Sequence, residues 1–105
     1  MKICNLKQGS TFRFPKGKST YVILSIENND FIGWIVNFVN TNTGQKYQYQ
    51  QPAPSTKEND PTQRQVVLLK ENVIKTSKKY ITKKDIEETF NINITKNTFV
   101  KYTTQ

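Results

Sequence analysis

Phe12, Phe14 and Tyr21 are interleaved with Arg13, Lys16 and Lys18 between residues 12 and 21, and this mixing of rings with cations is the strongest chemical feature of the sequence. Flat π faces stack on nucleobases and cationic side chains neutralise phosphates, so the combination suits a single-stranded nucleic acid. The same residues also make an ordinary twisted β-hairpin whose tyrosines pack across strands without any ligand. Tyr47 and Tyr49 lie beside Lys46, and a later run carries Lys75, Lys78, Lys79, Lys83 and Lys84. The candidate nucleic-acid-binding set is therefore Arg13, Lys16, Lys18, Tyr21, Lys46, Tyr47, Tyr49, Lys75, Lys78, Lys79, Lys83 and Lys84.

The formal net charge of +8 is unevenly placed along the 105 residues. No acid occurs before Glu27, while Lys2, Lys7, Arg13, Lys16 and Lys18 all do. A second basic block holds Arg64, Lys70, Lys75, Lys78, Lys79, Lys83 and Lys84 against Glu71 alone. Residues 27–60 and 85–105 are slightly acidic. If the two basic blocks meet in space they form a positive face that attracts polyanions. Lysine in excess also serves solubility alone.

Other chemistries are excluded. The chain has no histidine, which removes the commonest general base and transition-metal ligand. Nucleophilic triads that depend on histidine are impossible. With one cysteine, Cys4, neither a usual structural zinc site nor an intrachain disulfide can form. No P-loop, dinucleotide fingerprint or calcium loop is present. Glu87 and Glu88 are adjacent on a predicted helix and so point apart, as a solvated face does. The expectation is a protein without catalytic activity, cofactor or metal, with Cys4 as a small core hydrophobe. No apolar run is long enough to span a bilayer and the N-terminus lacks a signal-peptide apolar region, so no membrane partner and a cytoplasmic location are expected.

The elements that must position these residues are short. Thr11–Phe14 alternates with period two, and Pro15 with Gly17 suits a type I turn. Residues 20–27 place Val22, Leu24 and Ile26 on one face, which would turn Tyr21 outward. Residues 31–40 are apolar on both faces, with Ile32, Trp34, Val36 and Phe38 together, as in a central strand. Trp34 reads as core. Asn40 to Gly44 closes a hairpin into a half-exposed strand over 46–50. Residues 51–64 contain Pro52, Pro54 and Pro61 and read as a long polar loop, either a plain connection or a functional segment. Residues 65–69 read as a buried strand that Val73 and Ile74 continue. Thr82 to Asp85 has capping-box spacing ahead of a helix on which Ile86 and Phe90 share a face. Two last strands are expected at 92–94 and 100–102. The sum is one mainly β domain over residues 1–105: a small, strongly bent antiparallel sheet, or a barrel, with one short C-terminal helix.

Leu6-Lys7-Gln8-Gly9-Ser10-Thr11-Phe12 followed by Tyr21-Val22-Ile23-Leu24 resembles the opening of SH3-like small β-barrels of the phage and mobile-element type. In those proteins a Leu-Lys-x-Gly-Asp-x-Phe turn often leads into the first strand; here Ser10 stands in place of the acid. The resemblance covers roughly the first 40 residues. It implies a barrel that binds through exposed loops, and it carries no specific function because such folds host many.

Three functions compete on these grounds. One is a basic module that binds nucleic acid through a Lys/Arg and Tyr surface. Another is a phage-type protein-interaction module, an inhibitor or adaptor that docks on an acidic partner. The third is a virion structural or assembly component.

Overall fold

The computed structural model describes residues 1–31, 33–51, 60–71 and 82–101. Expectations for Val73, Ile74, Lys75, Lys78, Lys79, Tyr102 and most of the 51–64 loop lie outside these residues. Six strands form one sheet: β1 (Thr11–Arg13), β2 (Tyr21–Asn29), β3 (Gly33–Asn40), β4 (Lys46–Gln50), β5 (Val67–Lys70) and β6 (Thr98–Lys101). Among the described residues one α-helix, α1 (Lys83–Phe90), precedes β6. The spatial order is β5-β1-β2-β3-β4-β6.

The fold is mainly β with one short helix, as the sequence pattern predicts, with two refinements. The edge strands β5 and β6 do not pair with each other, so the sheet is bent and open and does not close into a barrel. All neighbours are antiparallel except β4 and β6, which run parallel. A parallel partner needs a crossover, and the long connection through β5 and α1 supplies it.

The β2–β3 hairpin is the spine, paired from Tyr21↔Asn40 to Asn29↔Gly33. Its β-branched and aromatic residues favour extended backbone. The pairing slips between Ile23 and Ser25, which oppose consecutive residues Phe38 and Asn37 and leave Leu24 as an extra residue. This bulge corrects the expected alternation. Val22 and Leu24 face one layer, whereas Ile26 joins Tyr21 and Ile23 on the other.

Each face of the sheet has its own core. One packs Phe12, Ile23, Val36, Phe38 and Tyr49 against Ile3, Cys4, Leu6 and Val66. The other packs Val22, Leu24 and Val39 against Ile86 of α1 and Ile94. The helix begins with the predicted capping box: Thr82 Oγ1 accepts from the Asp85 N–H at 3.3 Å, and an Asp85 carboxylate oxygen accepts from the Thr82 N–H at 2.9 Å. It ends at Asn91, whose left-handed backbone (φ 54°) turns the chain.

The remaining elements differ from expectation for reasons of position. Val67 and Leu68 are half-buried and Leu69 is exposed, because β5 is an edge strand with β1 as its one sheet neighbour. Residues 92–94 form no strand. Instead the Ile94 N–H donates to a Glu87 carboxylate oxygen at 2.8 Å, and buried Ile94 packs beneath α1. The N-terminus is tied down: the Ile3 N–H donates to the Arg64 carbonyl at 2.9 Å, and the Val66 N–H to the Met1 carbonyl at 2.8 Å. The Pro15 turn forms as predicted, with the Gly17 N–H donating to the Phe14 carbonyl at 2.9 Å.

Two glycines give opposite predictions. Gly44 has φ +78°, and a Cβ there would run into the Asn93 backbone carbonyl. Gly17 has no such strain, its nearest neighbours being atoms of Phe14 at 3.5 Å. Gly44→Ala is expected to cost about 2 kcal/mol in urea unfolding, through strained backbone and a clash that must move main chain. Gly17→Ala should stay within about 0.5 kcal/mol of the parent.

Candidate functional site

The candidate site grows from the aromatic core rather than from a pocket. Phe38 is fully buried, and its ring centroid lies 5.4 Å from Phe12, 5.5 Å from Tyr21, 5.3 Å from Tyr47 and 4.9 Å from Tyr49. Above this buried layer runs a row of less covered rings. Phe14 lies 5.3 Å from Tyr21, Tyr21 lies 5.9 Å from Tyr47, and Tyr47 lies 5.8 Å from Phe99. The first three are half-buried and Phe99 is 60% exposed. Register explains most of the row: β2, β4 and β6 place Tyr21, Tyr47 and Phe99 on this face, and Phe14 joins them from just past the end of β1.

A cation closes one end. The Arg64 guanidinium carbon sits 4.2 Å from the Phe14 ring centroid, within range of a cation–π attraction. Its Nη1 also donates to the Tyr49 hydroxyl at 3.4 Å. Arg64 is held by the turn at Pro61–Gln63, where an Asp60 carboxylate oxygen accepts from both the Thr62 N–H and hydroxyl, at 2.9 and 2.7 Å. Lys16 and Lys18 are exposed on the turn that follows Phe14.

The predicted site residues divide between the two faces. Tyr21, Tyr47 and Tyr49 belong to the aromatic face, and Lys16 and Lys18 adjoin it. Tyr21 does not point away from the core as predicted. Adjacent strand residues face opposite sides, so Tyr21 does lie opposite Val22, but that side carries the aromatic core, and its ring packs on Phe12, 5.5 Å between centroids. Tyr49 is buried, with its hydroxyl meeting Arg64. Arg13 alternates to the other side, and its guanidinium donates to the Phe14 and Pro15 carbonyls at 3.3 and 3.1 Å. Lys46 pairs with Val39 on the helix-covered face. Lys83 and Lys84, exposed on the first turn of α1, belong to the helix on that same face. Sequence reasoning left out Phe14 and Phe99 as surface rings, and it counted Arg64 in the second basic block without placing it in the site. Arg64 sits next to a polar loop, and only the return of the chain to Phe14 makes it part of the row.

Near the hairpin end of the same face lies a shallow groove of about 480 Å³, lined by Cys4, Leu6, Lys7, Ile26 and Trp34 among others. Trp34 packs half-buried against the core, in keeping with its expected role. Among the described residues, no three side chains of the metal-binding types come together, and no helix is long and apolar enough to cross a membrane. The chain matches no protein-family model, no curated protein and no solved structure.

Burial sets the ionisation of the tyrosines. It raises the Tyr49 pKa, with the Arg64 charge pulling the other way, and it raises that of Tyr47, helped by Tyr21. A phenol whose folded pKa exceeds its unfolded value near 10 stabilises the fold below that pH. The stabilisation is lost as pH rises through the folded value. The urea midpoint should therefore fall above about pH 10, and Tyr47→Phe/Tyr49→Phe should fall less steeply. Equal slopes for parent and double variant would rule out this origin. At neutral pH, losing the Arg64 hydrogen bond should cost Tyr49→Phe about 1 kcal/mol.

Proposed function

We propose that this chain is a non-catalytic module that binds single-stranded nucleic acid across its aromatic face. The observation that carries the reading is the row Phe14–Tyr21–Tyr47–Phe99, with Arg64 stacked on Phe14 and Lys16 and Lys18 beside it. Rings spread over neighbouring strands offer stacking surface, and the cations meet the phosphates. Successive rings are tilted by 66°, 81° and 63° to one another. The net charge of +8 supplies long-range attraction to a polyanion. The cytoplasm is the proposed location.

Fluorescence anisotropy of labelled DNA and RNA oligonucleotides tests this reading. Affinity should fall linearly with salt on a log–log plot. Lys16→Gln/Lys18→Gln should reduce that slope by about 1.4, at roughly 0.7 per single-strand phosphate contact. Phe99→Ala removes an exposed ring and should weaken binding about tenfold, since one base stack is worth about 1–3 kcal/mol. Single strands should bind more tightly than duplex. Absence of binding at low salt, or a Phe99→Ala variant that binds as the parent does, refutes the reading.

A further inference from the structure

Phe31 is the side chain that neither the core nor the proposed nucleic-acid surface accounts for. It stands 99% exposed at the tip of the β2–β3 hairpin. Hydrogen bonds hold the described residues around it. The Phe31 N–H donates to Asn29 Oδ1 at 2.8 Å. Just past the tip, Gln51 clamps the hairpin: its side-chain oxygen accepts from the Trp34 N–H at 3.0 Å, and its own N–H donates to the Trp34 carbonyl at 2.9 Å. Gly33 has φ +86°, and the Gln51 side chain fills the space where a Cβ would stand. A buried aromatic anchor surrounded by weaker contacts is the usual energetic centre of a protein–protein interface, and hydrogen bonds that hold the flanking residues lower the cost of ordering it.

The charge at the tip narrows the partner. Glu27 and Asp30 are exposed there, in a chain whose net charge is +8. Acids repel phosphate, so the tip does not suit nucleic acid, and Phe31 is not a wedge for base steps. The tip fits an apolar surface bordered by cations. The chain itself carries one: Phe14 and Tyr21 with Arg64, Lys16 and Lys18. Tyr21 opens β2 and Asn29 ends it, so tip and aromatic face lie at opposite ends of one hairpin, about 26 Å apart at 3.3 Å per residue. A molecule cannot seat its own tip on its own aromatic face.

We propose that the hairpin tip of one copy docks on the aromatic, cationic face of a second copy, with Phe31 as the anchor. The contact is head to tail, so each added copy leaves one free tip and one free face, and assembly runs on to a ring or a filament. An oligonucleotide that occupies the face competes with the tip. This assembly gives physical content to the structural-component reading of the sequence.

Sedimentation equilibrium at low salt, without nucleic acid, tests the proposal. The mass of the parent chain should rise with concentration. Phe31→Ala and Arg64→Glu each remove one half of the contact, and both side chains are exposed, so circular dichroism should show intact folds. Each variant alone should stay monomeric at every concentration. Mixed together they should form a one-to-one pair that grows no further, because only the face of the first and the tip of the second remain competent. A parent chain that is monomeric throughout, a Phe31→Ala variant that assembles as the parent does, or a mixture that stays monomeric overturns the proposal. Phe31→Ala should bind oligonucleotide with parental affinity, so loss of assembly and loss of nucleic-acid binding are read separately.

Discussion

The Phe38 ring is the contact on which the rest of the molecule depends. It lies near the C-terminal end of β3, fully buried, with Phe12, Tyr21, Tyr47 and Tyr49 packed around it and Phe14 at 6.3 Å. Aromatic pairs in such offset and edge-on arrangements add about 0.5–1.5 kcal/mol each beyond the area they bury. Because the five rings come from β1 and the residue that follows it, from β2 and from β4, one side chain joins strands that are distant in sequence. The rings that reach the surface are held in place by those that do not. The candidate site is therefore an outcrop of the core, and its geometry is as fixed as the core itself.

The second organising feature is the separation of the two faces. The buried residues on the α1 side are all aliphatic, Val22, Leu24, Val39, Ile86 and Ile94, whereas the other side mixes aliphatics with the buried rings of Phe12, Phe38 and Tyr49. Beyond the reach of the helix, the α1 side carries an amide ladder. Asn37 Nδ2 donates to Ser25 Oγ at 3.0 Å, and Gln48 Nε2 donates to Asn37 Oδ1 at 2.9 Å. These polar groups satisfy one another across three strands. Rings and arginine on one side, amides on the other, make the two faces chemically unlike. The described cations distribute accordingly, with Arg64 on the rings and Arg13 tied to backbone carbonyls.

Much of the fold was legible in local pattern. Thr11–Arg13 and Lys46–Gln50 form strands where aromatic and polar residues alternate, Tyr21–Asn29 forms one where β-branched and aromatic residues are concentrated, and Thr82 with Asp85 announces the helix start. The turns at Pro15–Gly17 and Asn40–Gly44 form where their glycines and prolines stand. Edge strands were less legible. The Val66-Val67-Leu68-Leu69 run looks buried because hydrophobicity alone does not say how many neighbours a strand has. Ile92 and Ile94 look like a strand because period two also describes an extended segment pinned beneath a helix.

By itself the sequence determined composition and local geometry: the absence of histidine chemistry, the excess of cations, the aromatic alternation and the positions of turns and cap. These depend on residue type and on neighbours a few positions away. The tertiary structure decided which rings share a face and which cation stands over them. The bulge at Leu24 reverses the facing of β2 partway along, and its position answers to β3 rather than to β2. Arg64 reaches Phe14 through a chain reversal of some fifty residues, and Phe99 reaches Tyr47 through a parallel crossover of similar length. Contacts at such separations are set by packing, which no local period encodes.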